Sequence, residues 1–193
     1  LTKCETSYGI IAVVDGDTQG WTKYNLGSPR DLINALALQS GCFTPAEAGG
    51  PAATFLMNVV AGDKEEIDRS INLATSAAKE GLARSGVLAR AGGIGGSAIG
   101  GMLGRFGGKK KTVAAAIRLI NPANGTTMVS GSGEVQKSTL TFGEGGGGLL
   151  GGGDTSGYAS SKDGKMLIEA FIKAFNGVTD QGVALQAMRP AGS

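Results

Sequence analysis

The chain has 193 residues, of which 41% are hydrophobic and 18% are charged, so we expect one domain with a substantial core. Its 18 basic and 16 acidic residues leave a formal charge of +2, which argues against a nucleic-acid-binding protein. The chain has no histidine and therefore lacks the commonest general base and transition-metal ligand, which argues against most hydrolases and against a zinc site. A mechanism based on carboxylates or lysine stays open at this point, although we expect no enzyme, no metal and no cofactor.

The first two predicted elements are a strand and a helix. The stretch "YGIIAVVDGD", residues 8–17, is a β-branched apolar run that predicts a buried strand ended by an Asp-Gly turn. The stretch "SPRDLINALALQSG" predicts a helix in which Ser28 is the N-cap and Pro29 the first helical residue. The negative charge of Asp31 stabilises the N-terminal end of this helix, and Gly41 ends it in a left-handed backbone conformation. The predicted buried stripe of this helix is Leu32, Ile33, Leu36 and Ala37.

A second strand and a long helix follow. Residues 53–62, "ATFLMNVVAG", predict a strand, and "DKEEIDRSINLATSAAKEGLARSGV" predicts an amphipathic helix capped by Asp63. Its apolar face consists of Ile67, Ile71, Ala74, Ala78 and Leu82. This face either packs on the sheet or contacts a partner.

The second half of the chain predicts a hairpin and a final helix. "KKKTVAAAIRLINPANGTTMVSGSGEV" indicates two strands joined by the turn "NPANG". Alternation puts Val113, Ala115, Ile117 and Leu119 on one face of the first of these strands. In "SKDGKMLIEAFIKAFNG", Lys165, Glu169 and Lys173 form a narrow stripe facing water, so the sheet or a neighbouring subunit must bury the other faces.

Glycine-rich stretches divide these elements. We assign a Gly-rich insertion to residues 87–111, a Gly-rich loop of flexible or extended character to 143–157, and a C-terminal tail to 178–193, all within a single domain over 1–193. Nine of the seventeen residues in "GGIGGSAIGGMLGRFGG", residues 92–108, are glycine.

The glycine insertion does not fit a phosphate-binding loop. Lys110 occupies the place where the second glycine should precede Lys111 and Thr112. A Gly-x-Gly-x-x-Ala match at residues 93–98 follows a predicted helix rather than a strand, so it does not indicate a dinucleotide site.

A four-residue repeat in the insertion is more regular than either phosphate pattern. Gly92, Gly96, Gly100 and Gly104 would form a smooth stripe on a helix, which makes them a candidate membrane or subunit-packing segment. Each glycine costs a helix about 1 kcal/mol relative to alanine, so a loop is the alternative.

Two cysteines flank the first strand and helix. Cys4 precedes the strand and Cys42 follows the helix, an arrangement that a strand and helix packed together can bring into contact. They would form a disulfide in an exported protein and two buried thiols in a cytosolic one.

Taken in chain order, several segments resemble one family. "LTKCETSYGIIAVV", "ALQSGCF", the hairpin "VAAAIRLINPANGTTMVSGSGEVQKS" and "GYASSKDGKMLIEAFIKAFNGV" look like the curli-secretion channel family, which includes the curli production assembly/transport component and holdfast-attachment relatives. The resemblance covers residues 1–44 and about 112–178.

This resemblance implies an exported protein, commonly a lipoprotein, at the outer membrane of a Gram-negative bacterium. The family has an α/β periplasmic domain that assembles into a ring, and its best-known members add two β-hairpins per protomer to a shared barrel. Here "TPAEAGGP" shortens the segment after "SGCF", and residues 63–90 predict a helix where channel-forming members begin a membrane hairpin. We therefore expect the ring-forming domain, with or without a barrel.

The sequence thus predicts an α/β (α+β) fold with a mixed or antiparallel sheet, flanking helices, Gly-rich insertions and a Cys4–Cys42 disulfide. The expected function is a homo-oligomeric, outer-membrane-associated protein that exports or anchors surface polymers or forms a structural ring, with other envelope proteins, the outer membrane or peptidoglycan as partners. The alternative is a monomeric periplasmic module that binds peptidoglycan or activates a cell-wall synthase. An enzyme would require an apolar pocket with convergent carboxylates.

Overall fold

The computed structural model describes residues 1–71, 112–137 and 156–187. These ranges contain a five-stranded mixed sheet in the order β2-β1-β3-β4-β5. The strands are β1 (Ile10–Gln19), β2 (Thr44–Pro45), β3 (Phe55–Asp63), β4 (Val113–Ile120) and β5 (Thr127–Val135). β1 runs parallel to β2 and β3, whereas β3, β4 and β5 are antiparallel neighbours. The predicted α+β fold with a mixed sheet is confirmed.

Helices flank both faces of this sheet. A 3₁₀ turn spans Gly20–Tyr24, and the α-helices are α1 (Arg30–Ser40), α2 (residues 64–71), α3 (Ser156–Ser160), α4 (Lys162–Thr179) and α5 (Gly182–Ala187). Among the helices within these ranges, none is both long enough and apolar enough to cross a bilayer.

The core lies mainly between the sheet and the pair α1 and α4. The predicted apolar face of β4 is fully buried there, as is the predicted stripe of α1. On the opposite face, Val60, Ala114 and Ala116 pack against Ile67 of α2, with Ile71 partly buried beside them. The first two residues of the predicted stripe of α2 therefore pack on the sheet, whereas Ala74, Ala78 and Leu82 lie outside the described residues.

The predicted turn at Asp15-Gly16 is wrong, because β1 continues to Gln19. A Cβ on Gly16 would collide with the side chain of Val60 and would lie 2.9 Å from the carbonyl oxygen of Val59. Glycine at this position therefore allows close approach to β3 rather than a change of chain direction.

The start of α1 differs slightly from the sequence prediction. Pro29 is the N-cap rather than the first helical residue, and the Ser28 hydroxyl donates to Asp15 at 2.5 Å. The amide of Arg30 lies 3.4 Å from the Ser28 oxygen, so the expected cap is only a long contact. The end is as predicted: Gly41 has φ 68° and donates to the carbonyl of Ala37.

Two predicted segment bounds also change. Residues 156–157, assigned to the second Gly-rich loop, already belong to α3. Residues 178–187, assigned to the C-terminal tail, complete α4 and form α5, where Leu185 is buried.

α4 lies directly on β5 because two glycines leave room for its backbone. A Cβ on Gly131 would collide with the carbonyl oxygen of Ala174, and a Cβ on Gly133 would collide with that of Ala170. The sheet thus buries the apolar faces of α4. Lys173 stays exposed in the predicted polar stripe, and its ammonium donates to the carbonyl of Glu134 at 3.1 Å.

Replacing Gly131 with alanine should lower the free energy of unfolding by roughly 2–3 kcal/mol, because the added methyl group overpacks the helix–strand contact. Urea unfolding of the oxidised protein measures this change. Gly27→Ala is the matched control, since no atom lies within 4 Å of a Cβ placed there. Equal stabilities of the two variants would show that the contact is looser than described.

Tyr158 anchors the segment that leads into α4. Its side chain is 3% exposed, and its hydroxyl donates to the carbonyl of Gly27, on the loop before α1. Burial raises the pKa of the Tyr158 phenol above its ordinary value, and the negative charge of Asp15 raises it further.

The raised pKa of Tyr158 predicts a loss of stability in alkali. Above about pH 10 the unfolded chain releases this phenolic proton while the native chain keeps it, so stability falls by up to about 1.4 kcal/mol per pH unit. Urea unfolding between pH 8 and pH 11 should therefore show a steeper alkaline decline for the wild type than for Tyr158→Phe. If stability declines equally with pH in the wild type and in Tyr158→Phe, the Tyr158 phenol has the same pKa in the folded and unfolded chain.

Candidate functional site

The predicted disulfide between Cys4 and Cys42 is present, with an S–S distance of 2.00 Å. It joins residues 1–9, here called the N-terminal strap, to the residue after the turn that ends α1. The amide of Cys4 also donates to the carbonyl of Ser40 at 2.9 Å, so a hydrogen bond accompanies the covalent link. Cys42 is fully buried, which fixes this end of the strap in the core.

The strap also contacts α4. The amide of Thr2 donates to the side-chain oxygen of Asn176 at 2.8 Å. Farther along, the Tyr8 ring meets Phe43 edge-on with centroids 5.7 Å apart, and Phe43 meets Phe175 of α4 in the same way at 5.8 Å. The strap therefore joins the end of α1 to α4.

The other predicted site lies outside the described residues. Gly92, Gly96, Gly100 and Gly104 all fall between residues 72 and 111, as does the whole predicted insertion. Their role as a membrane or subunit-packing segment stays a prediction.

A polar cleft that the sequence did not indicate opens at the end of β1. Its volume is about 380 Å³, and its lining includes Asp17, Lys23, Glu66, Arg69 and Ser70. These residues come from β1, the 3₁₀ turn and α2, which meet at this corner of the sheet.

A bulge in β1 aims Asp17 into the cleft. Asp15 pairs with Val59 and Gln19 pairs with Ala61, so β1 uses four residue steps where β3 uses two. In a regular strand Asp15 and Asp17 would point to the same face, and the extra residues break this alternation.

The carboxylates of Asp15 and Asp17 consequently make their contacts on opposite faces of the sheet. Asp15 accepts hydrogen bonds from Ser28 and Arg30, next to α1. Asp17 lies 3.4 Å from the Ser70 hydroxyl of α2 and 3.5 Å from a guanidinium nitrogen of Arg118.

Arg118 reaches this corner from β4. By alternation it shares the face of Ala114 and Ala116, and it pairs with Asn58 of β3 and Ser130 of β5. Its Nη2 donates to the Ser70 oxygen at 2.8 Å. Its Nε is buried and has no hydrogen-bond partner among the described residues.

Lys23 and Glu66 form a separate pair at the mouth of the cleft, with 2.5 Å between nitrogen and oxygen. The hydrogen bond to Glu66 raises the pKa of Lys23. Glu66 also accepts from the Asp63 amide at 3.1 Å, while the Glu66 amide donates to Asp63 at 2.9 Å. This reciprocal pair confirms Asp63 as the cap of α2 and keeps Glu66 in place.

The sequence contained one signal for the cleft. Arg118 is the only charged residue in the otherwise apolar strand "VAAAIRLI", and a charge in a central strand needs a polar partner. Its partners Ser70 and Asp17 are 48 and 101 positions away, so local patterns could not identify them.

Comparison with known proteins does not assign the chain to a family, since no family model, curated protein or solved structure matches it. Within the described ranges, no group of three or more cysteine, aspartate or glutamate side chains is arranged to hold a metal ion. The chemistry that the cleft itself offers is charge pairing and hydrogen bonding by guanidinium and hydroxyl groups.

Removing the disulfide should destabilise the protein by about 4 kcal/mol, the loop-entropy value for a separation of 38 residues. Urea unfolding of the oxidised wild type, the reduced wild type and Cys4→Ala/Cys42→Ala measures this loss. The reduced wild type keeps both side chains, so agreement between it and the double variant assigns the loss to the covalent link. Maleimide labelling in denaturant before any reduction would contradict the disulfide.

Proposed function

We propose that this chain is a non-enzymatic, homo-oligomeric assembly protein of the cell envelope, of the curli-secretion type. It acts as a ring that exports or anchors surface polymers, in the periplasm of a Gram-negative bacterium and in association with the outer membrane.

The observation that carries this proposal is the way the two resembling segments combine. Residues 1–44 supply β1, α1 and the first residue of β2, and residues 112–178 supply β4, β5 and nearly all of α4. Side chains from both segments share one buried cluster, in which Phe43 contacts Phe175. Segments that resemble one family in chain order thus also form one packed unit, which supports a common fold with that family.

The disulfide supports the proposed compartment. Stable disulfides form in oxidising compartments such as the bacterial periplasm and are rare in the cytosol. Cys4 and Cys42 are the only cysteines of the chain, and both are used in this bond.

A second candidate function is a monomeric periplasmic module that binds peptidoglycan or a cell-wall synthase. The polar cleft favours it, because a cleft lined by a guanidinium, two hydroxyl side chains and carboxylates suits a polar ligand.

Light scattering coupled to size exclusion, followed by electron microscopy, tests the ring with the full oxidised chain. We expect a closed oligomer of uniform size in detergent or in buffer. A monomer under both conditions would contradict the ring, and retention of that monomer on purified sacculi would establish the second candidate. Sacculi incubated with the Cys4→Ala/Cys42→Ala variant, which lacks the disulfide, control for binding by destabilised chain.

A further inference from the structure

Arg118 is a mostly buried cation whose charge is weakly compensated. Its side chain is 13% exposed, whereas the nearby Asp17 carboxylate is 67% exposed and 3.5 Å away. Its one short hydrogen bond goes to Ser70, a neutral acceptor, and its Nε has no partner among the described residues. Removing a charge from water costs free energy unless the charge is paired, so a closer anion would stabilise the Arg118 guanidinium.

The cations around the cleft differ in how fully they are engaged. Lys23 is already held by Glu66 at 2.5 Å, so it adds little net charge. Arg69 lines the cleft next to Ser70, whose hydroxyl contacts Arg118. Arg118 contacts the cleft residues Ser70 and Asp17 from behind, so guanidinium groups from a helix and from a strand both lie at this corner. Of the two carboxylates that line the cleft, Glu66 is held by Lys23, and Asp17 has only the longer contacts to Ser70 and Arg118.

We propose that this cleft binds the oxyanion group of a small ligand, a carboxylate or a phosphate, between Arg118 and Arg69. A guanidinium presents a planar fork of N–H donors that matches both of these groups. The Ser70 hydroxyl adds a third donor when it turns from Asp17 to the ligand. In the free protein, the long Asp17 contact is the competing interaction that the ligand replaces.

Anion binding at this cleft does not depend on whether the chain forms a ring. It requires only that the corner formed by β1, the 3₁₀ turn, α2 and Arg118 is accessible. The cleft volume of about 380 Å³ accommodates a ligand larger than the oxyanion itself.

Proton–nitrogen NMR of the full oxidised chain provides a direct readout, because the Arg118 Nε–H gives its own signal. Titration with sodium phosphate and, separately, with sodium acetate at constant ionic strength should shift this signal and the Ser70 amide in a saturable way. We expect a dissociation constant on the order of 1 mM, typical of a single charged group. Saturation by phosphate alone, acetate alone or both identifies the oxyanion and supports the site.

Three variants test whether the arginines of the cleft bind the anion or only stabilise the fold. Arg69→Gln should weaken binding about tenfold without unfolding the protein, since one charge-assisted contact is lost. Asp17→Asn should strengthen binding roughly tenfold, because the competing carboxylate is removed. Arg30→Gln, on the opposite face beside Asp15, is the matched control and should leave binding unchanged.

Two results would overturn the proposal. One is the absence of a saturable shift with either anion in the wild type and in Asp17→Asn. The other is a loss of stability in Asp17→Asn with no gain in anion affinity, which would make Asp17 the structural counterion of Arg118.

Discussion

The backbones of α4 and β5 lie in direct contact, and this contact sets the position of α4 on the sheet. Gly131 and Gly133 leave no side chain between strand and helix, so α4 lies close enough for its buried face to cover β4 as well. Phe175 of α4 can then meet Phe43, which follows α1. The helix thereby joins the two halves of the fold, and the N-terminal strap in turn attaches to α4 through Asn176.

The two faces of the sheet have different roles in this arrangement. The α4 face contains the large core, and the strap with its disulfide closes one end of it. The α2 face has a smaller apolar cluster around Val60 and an open polar cleft beside Arg118. Covalent and aromatic contacts thus stabilise one face, while the other carries the charged and hydroxyl groups of the cleft.

Local patterns in the sequence predicted most elements, because apolar periodicity and capping residues act over a few positions. The hairpin, the Gly41 end of α1 and the Asp63 cap are of this kind. The turn predicted at "DGD" was wrong because Asp-Gly favours turns locally, whereas the close contact of Gly16 with Val60 of β3 decides the conformation here. The cleft depends on Arg118 meeting residues far away in the chain, and periodicity carries no such information.

Because α4 packs on both strands of the hairpin, we expect β4, β5 and α4 to open as one cooperative unit. Native-state hydrogen exchange on the full oxidised chain tests it most directly, because residues that open together share one free energy of opening. The amides of residues 113–120 and 129–135 should exchange with the same, highest opening free energy as those of residues 166–178. If the α4 amides exchange with a much smaller opening free energy than the hairpin amides, the helix detaches on its own and the three elements are not one cooperative unit.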